Sequence, residues 1–572
     1  MKNGAKKRGS QNNPSQSREP KSALEHQIEL SLAISPRQEV DIGPLVQYTE
    51  AFPRREMTLE NILRDNARKF PNRTAIVCEE VRYTFKEFND RVNSLANALI
   101  DIGFRKGDWI AVVADNCCQI LEMFWVGVKI GIATSIINPA SSERDLLHLI
   151  GNGGARGIVF SENYHSLVKS LRPRLESVKT YITIGEPVAG FRSYEALVSA
   201  YPSSEPEVES NDNDLLFLSN TSGTTGLPKQ AMHTCKSLRT MALIGLHAHG
   251  YDMREGGVGL LGAPLSWGNW IPLFSIPCYY MGCTVVIPRD LAPETLLQLI
   301  EKETVTDLGT GATFLHGLIN CPDLHKHNYS SLRRVFTFGY LPPDVWCQAI
   351  ELFGNIFLIG YGLTEKPMIS YLSPKDLMVQ DPSKKMKRLS SCGKEHIGVE
   401  VRVIDDEGND VQAGQVGEVI AKGDDMMKGY LNAPKATDEI IRGGYLYTGD
   451  LGTVDEEGYI YLRGRKKDAI TTQGTVILPS EIEEVISRHP QVLEVAVIGV
   501  PDEKLGEAIV AAVVRRGEKV TEAEVIAACR QSLPSYAIPK SVAFVQSLPK
   551  TPSGKIQRPK VRQEYMQLRD NT

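Results

Sequence analysis

The chain has 572 residues and a formal net charge of −5, with 64 Lys and Arg against 69 Asp and Glu. That is roughly three to four ordinary domain lengths, so several packed units are expected. Hydrophobic residues at 42% and charged residues at 23% exclude a disordered, collagenous or disulfide-scaffold protein, and the lack of a basic excess argues against a nucleic-acid partner.

At the amino terminus, Lys2, Lys6, Lys7 and Arg8 stand among Asn, Gln and Ser without the apolar core of a secretory signal. Residues 1–40 read as a disordered tail. Further on, Phe88, Val92, Leu95 and Leu99 give helical spacing between Thr84 and Gly103, and Trp109 to Ala114 reads as a buried strand. The polar stretch Ser203 to Asp214 introduces the apolar run Leu215 to Leu218. No charge falls between Glu255 and Arg289, but Pro264, Pro272 and Pro277 would break a membrane helix. A shorter helix opened by Pro272 and closed by Gly282, then a strand Thr284 to Ile287, makes this buried core beside a cavity. No transmembrane segment is expected.

After Ser390 short strands dominate: Val399 to Ile404, Val416 to Ala421 and Tyr459 to Leu462, with turns at Asp406-Glu407-Gly408 and Glu456-Glu457-Gly458. Antiparallel β structure follows. Beyond Arg465 a small unit contains helix Glu481 to Arg488, strand Val495 to Val500, helix Glu522 to Leu533 and strand Ser541 to Val545. The expected class is α/β: a large multi-lobed amino-terminal domain over 41–466, of α/β layers plus a β-rich lobe, and a small α+β carboxy-terminal domain over 467–572. No repeat period is present. The ten cysteines are scattered, only Cys117 and Cys118 being adjacent, so neither a disulfide framework nor a thiolate metal site is indicated and a reducing compartment fits. The ending Arg569-Asp570-Asn571-Thr572 is not a peroxisomal signal, which leaves the cytoplasm as the default.

One local signal stands out: Thr221-Ser222-Gly223-Thr224-Thr225-Gly226-Leu227-Pro228-Lys229, directly after a strand-like run. Gly223 and Gly226 let backbone N–H groups turn toward an anion, four hydroxyls add donors, and Lys229 supplies a point charge. The bland alternative is a flexible surface loop. It is not a Walker loop, since the G-K-[ST] order is absent. Four further motifs follow in order: Gly360-Tyr361-Gly362-Leu363-Thr364-Glu365, Tyr447-Thr448-Gly449-Asp450, Gly464-Arg465-Lys466-Lys467-Asp468 and Pro552-Ser553-Gly554-Lys555. Tyr361 offers a face for a purine, Thr364 a hydroxyl for the α-phosphate and Glu365 a hard oxygen for Mg²⁺. Asp450 suits ribose hydroxyls and Arg465 the sugar or phosphate. Taken singly, each could be a stray acid or an ordinary surface ion pair.

Together, from about Thr58 to Met566, the five motifs resemble the adenylate-forming superfamily of acyl-CoA synthetases, carrier-loading adenylation domains and luciferases. The resemblance implies an ATP-dependent acid–thiol ligase that makes an acyl-AMP and passes it to coenzyme A. It implies Lys555, with Glu365 and Thr364, as the catalytic group that bridges carboxylate and α-phosphate. It further implies a mobile small domain hinged at Lys467, nucleotide contacts at Gly339, and passage for pantetheine at Gly474. The small-molecule acid is expected in an apolar pocket of Trp267, Trp270 and Gly311, with Tyr279 as a further wall and Gly309 leaving room; a medium-chain fatty or aromatic monocarboxylate fits. Departures from the family pattern are Gln230, Trp267, Tyr340 and Gln473. Rival readings are loading of a carrier-protein phosphopantetheine and nucleotide binding without catalysis. The oligomeric state stays open.

Overall fold

The computed structural model describes residues 58–221, 226–248, 255–267, 269–472, 474–517, 520–550 and 555–570. The expected tail over 1–40, Ser222, Gly223, Thr224 and Thr225, and Gln473 lie outside the described residues. Among the described residues the strands form four sheets.

The first is seven-stranded, in the order Arg192–Ser193, Thr180–Ile184, Gly157–Ser161, Trp109–Val113, Ala133–Ile137, Leu215–Asn220, Gln230–Thr234. All neighbours are parallel except the last pair, an antiparallel hairpin. Trp109–Val113 and Ala133–Ile137 are buried along their whole length, which is why they read as continuous apolar runs rather than alternating ones. The helix expected from Phe88, Val92, Leu95 and Leu99 spans Phe85–Ile102, and all four side chains are fully buried. Its ends are chemically fixed. Thr84 and Glu87 form a capping box, and Gly103 takes the left-handed conformation at φ 105° that a side chain would resist.

The nine-stranded sheet runs Lys394–Glu395, Ser370–Leu372, Phe357–Tyr361, Arg334–Phe338, Asp307–Gly311, Val258–Gly262, Thr284–Val286, Thr74–Cys78, Val81–Thr84. Its six central strands, from Phe357–Tyr361 to Thr74–Cys78, are parallel. Gly311, Phe338 and Tyr361 therefore end adjacent strands on one edge, the carboxyl edge where open α/β sheets bind ligands. The uncharged stretch forms the strand Val258–Gly262 and a wide π turn, Ile271–Ser275, that runs into the helix Ile276–Tyr280. Pro272 and Pro277 each fall in a first turn, where a missing N–H costs little. Both turns are buried, and no described helix is long and apolar enough to cross a membrane.

The third sheet is antiparallel: Val399–Ile404, Gly417–Gly423, Tyr445–Val454 and Ile441–Arg442, with Ile460–Arg465 also paired to Tyr445–Val454. The fourth starts after Lys466–Asp468 and holds Thr475–Ile477, Ile470–Thr472, Gly506–Arg515, Val492–Asp502 and Ser541–Val545. Helices Pro479–Ser487 and Glu522–Ser532 supply Ile482, Ile486, Val525 and Cys529 to the apolar cluster on this small sheet. All ten cysteines are free thiols.

Candidate active site

The loop 221–229 connects the two strands of the hairpin on the seven-stranded sheet, and its neck is closed by two hydrogen bonds. Thr221 N donates to the Lys229 carbonyl and Lys229 N to Thr221 Oγ1, each at 2.8 Å. Gln230, where glycine is usual in the resembling family, turns its buried amide to Ser135 Oγ at 3.1 Å.

This loop opens on a cavity of about 1540 Å³. Thr221, Gly226, Lys229, Gly339, Tyr361, Thr364, Glu365, Arg465, Lys467 and Lys555 all reach it, as do Trp267, Trp270 and Gly311. Gly339 is held at φ 106° against the Ala312 side chain, so a Cβ there would be both strained and crowded.

Asp450 sits one layer behind. It faces Arg465 across the hairpin, accepts from Arg465 Nε at 2.7 Å, and accepts from the Tyr361 hydroxyl at 2.6 Å. Burial raises its pKa, and the Arg465 cation works against that rise. The Tyr361 hydroxyl is pushed well up by burial and then by the Asp450 charge, so it stays a donor. Both Asp450 oxygens are thus already engaged by protein, where the sequence had offered them to a ribose.

Lys555 is open to the cavity, yet withdrawal from bulk water lowers its pKa and Arg465 lowers it further, while Asp450 and Glu365 pull the other way. Lys467 is lowered by the same withdrawal. These cations crowd one another and are held together by two carboxylates.

Sequence reasoning missed several neighbours. The Tyr430 hydroxyl donates to Glu365 Oε1, and the Lys229 ammonium lies 5.2 Å from the Tyr430 ring centre. The Thr364 carbonyl accepts from His233 Nε2 at 3.1 Å and from Asn269 Nδ2 at 3.4 Å. Burial lowers the His233 pKa to about 4, which keeps the ring neutral. No local pattern marks these residues, because each reaches the site from another strand or loop.

The aromatic residues divide. Trp267 lines the cavity beside Phe314, ring centres 5.5 Å apart, and a Cβ on Gly311 would meet both at 3.7 Å, an ordinary contact. Trp270 is mostly buried against Phe336 and Phe338 and shows only an edge. Tyr279 lies off the cavity, fully buried among Phe85, Phe88 and Trp125. Gly309 leaves no room for a ligand, since the Phe274 ring would stand 2.9 Å from a Cβ placed there. Gly474 is also off the cavity, in a hairpin turn at φ 76° with open space where a Cβ would go.

Residues 63–431 match the family model described as AMP-binding enzyme, and residues 481–555 match the AMP-binding enzyme C-terminal domain. The chain belongs to the AMP-binding enzyme family. It is a member of the adenylate-forming superfamily that its motifs resemble. It is 30% identical over 516 residues to a medium/long-chain-fatty-acid–CoA ligase of Mycobacterium tuberculosis, covering 87% of this chain and 88% of that protein. The anthranilate CoA ligase AuaEII, solved with anthranoyl-AMP, superposes with a TM-score of 0.81 at 26% identity over 91% of this chain and 99% of that one. The amide bond synthetase McbA of Marinactinospora thermotolerans gives 0.78 at 27% over 89% and 100%. The class expected from the motifs, an AMP-forming acid–thiol ligase, is the class of the first two.

The two glycines can be told apart by experiment. Gly309→Ala forces the Phe274 ring to move and is expected to cost about 1–3 kcal/mol of stability by overpacking. Gly311→Ala is expected to leave the melting temperature unchanged and to lower kcat/KM for bulkier acids; thermal melts and acid kinetics on both variants check this.

Proposed function

We propose that this AMP-forming acyl-CoA ligase takes a medium-chain aliphatic or aromatic monocarboxylate, joins it to AMP, and passes the acyl group to coenzyme A. The observation that carries the reading is that Lys555 opens on the same cavity as Thr364, Glu365 and Arg465, a cavity whose walls also include Trp267, Phe338 and Leu273.

A carboxylate resists attack because it is anionic and would have to expel oxide. Adenylation replaces that leaving group with AMP. The step brings two anions together, so the protein's contribution is placement and charge. On this reading Lys555 spans the carboxylate and the α-phosphate, Thr364 and the backbone of the 221–229 loop donate to phosphate oxygens, and Arg465 serves the sugar or phosphate side. Tyr361, anchored through its hydroxyl, offers a ring face to the purine. The Glu365 carboxylate and Thr364 hydroxyl on the cavity are a donor set that suits magnesium, which would shield phosphate charge when bound with the nucleotide.

Among the described residues, those lining the cavity from 266 to 273 and from 311 to 313 carry no charge. A second carboxylate there would be buried without a partner, a cost of several kcal/mol. Relatives named for medium- and long-chain fatty acids and for anthranilate support the same class of acid. We assign 41–466 to the nucleotide-binding domain and 467–572 to a lid pivoting at Lys467, in the link between Ile460–Arg465 and Ile470–Thr472. That pivot lets Gly474 approach after Lys555 has left. Adding coenzyme A or a phosphopantetheinyl carrier to preformed acyl-AMP decides the acceptor.

The acid is tested by ATP–pyrophosphate exchange with acetate, hexanoate, benzoate and succinate. Hexanoate or benzoate is expected to lead, with the order altered in Trp267→Ala; preference for acetate or succinate overturns the pocket. For Lys555→Ala, exchange is expected to fall about 100- to 1000-fold, as for loss of one preorganised charge donor. Thioester formation from supplied acyl-AMP should persist, and equal loss in both half-reactions removes Lys555 from its assigned step.

A further inference from the structure

Directly after Glu365 the chain places a lysine where nothing in the cavity requires one. Lys366 turns away from the cavity and ends fully buried, its ammonium paired with Asp425 Oδ1. Both side chains are 0% exposed. The lysine also reaches the Met368 carbonyl at 3.4 Å and the Asp425 carboxylate meets the Met368 backbone N–H, while Asp425 Oδ2 has no hydrogen-bond partner. Burial drives both groups toward neutrality, lowering the lysine and raising the aspartate, and their mutual attraction opposes it.

An ion pair removed from water with one carboxylate oxygen unsatisfied is poor value for stability, because desolvating two charges offsets their attraction. Its worth lies in what it joins. Lys366 belongs to the turn that follows the strand Phe357–Tyr361, and that turn closes on itself through Leu363 N to the Lys366 carbonyl at 2.9 Å. Gly362 sits so tightly in it that a Cβ would stand 2.0 Å from the Pro367 carbonyl oxygen. Asp425 belongs to the segment that leaves the strand Gly417–Gly423. That segment passes Glu365, with Met427 N donating to the Glu365 carbonyl at 2.8 Å. It then runs along Gln230–Thr234, through Lys428 N to the Met232 carbonyl at 2.8 Å and Met232 N to the Gly429 carbonyl at 2.9 Å. Two residues after Lys428 comes Tyr430, whose hydroxyl holds the Glu365 carboxylate and whose ring faces Lys229.

We infer that Lys366 and Asp425 are a positioning pair that fixes the register between the Glu365 turn and the Tyr430 segment, and so sets where the Glu365 carboxylate points. Neither residue touches substrate; both act through Glu365 and Tyr430. The inference rests on the reading of Glu365 as the carboxylate that meets magnesium-bound nucleotide. Backbone hydrogen bonds already tie the Tyr430 segment to Glu365 and to Gln230–Thr234, and the buried pair adds a side-chain link between the same two segments on the side away from the cavity.

The test is the double variant Lys366→Met/Asp425→Leu, which replaces both charged side chains with apolar ones of like length and branching, read against either single change. The singles strand a buried charge and are expected to lower the melting temperature, while the double recovers it. ATP–pyrophosphate exchange by the double is expected to fall about 10- to 100-fold, the usual loss when the support of a metal-facing ligand is removed. Calorimetric ATP binding without acid adds a readout that packing alone would not move. With EDTA the double should bind ATP like wild type; with Mg²⁺ the gain in affinity should shrink. A double variant with wild-type exchange, or with loss that only tracks its folded fraction, overturns the proposal. Should the double not fold, Asp425→Glu keeps both charges and shifts the alignment: reduced exchange at unchanged melting temperature supports the pair, and unchanged exchange overturns it. Glu365→Gln separates the two readings. Normal exchange in Glu365→Gln removes the Glu365 reading and the pair's role with it, whereas a defective Glu365→Gln beside a normal pair variant removes the pair alone.

Discussion

Two anions repel by about 4 kcal/mol at 4 Å in a partly screened protein site, and adenylation asks a carboxylate and a triphosphate to come closer than that. The cavity answers with cations gathered from separate parts of the fold. Lys229 comes from the hairpin loop of the seven-stranded sheet, Arg465 from the antiparallel sheet, and Lys467 and Lys555 from the link and the chain beyond it. Such a cluster repels itself before any substrate arrives, and the lowered pKa values of Lys467 and Lys555 register that cost beside the loss of water. Asp450 and Glu365 offset it. The antiparallel sheet carries one charge with its counter-charge, Arg465 with Asp450, but Lys229, Glu365, Lys467 and Lys555 come from elsewhere, so the whole cluster needs several parts of the fold assembled.

The same logic explains why so many tyrosines border the carboxylates. Tyr361 donates to Asp450 and Tyr430 donates to Glu365. A phenol supplies a hydrogen bond without adding a charge, so it orients each carboxylate while leaving its negative charge for the cations in front. A lysine or arginine at either position would neutralise the acid instead of aiming it. Lys366 stands on the far side of the turn from the cavity, where it pairs with Asp425 and not with Glu365.

The sequence showed most where local chemistry decides. The helix Phe85–Ile102 has its period and both caps written within one segment, so its ends were legible to a residue. The strand Gly506–Arg515 went unread because seven of its ten residues are buried without alternation, a pattern that a core helix shares. Among the site residues, motif positions converged although they sit differently: Tyr361 ends its strand, Tyr447 and Thr448 lie within the strand Tyr445–Val454, and Arg465 ends the strand paired with it. Partners such as Tyr430, His233 and Asn269 were invisible, as their proximity depends on which strands pair. Gly309 misled because period two tells that strand neighbours face opposite ways, but not which face meets the cavity and which meets the Phe274 ring; Tyr279 misled because the helix Ile276–Tyr280 turns it into the core against Phe88.

One face of the cavity has two claimants. In this arrangement Lys555 occupies it, and Gly474 lies away in the turn between Ile470–Thr472 and Thr475–Ile477. On the function proposed above, a thiol attacks the acyl carbon along a path that Lys555 fills while it bridges carboxylate and phosphate, so a rigid enzyme would favour one half-reaction by obstructing the other. Separating the two requirements in time resolves the conflict, provided that the moving part carries both groups. The small sheet does so, since Gly474 and Lys555 both follow Lys467 in the chain.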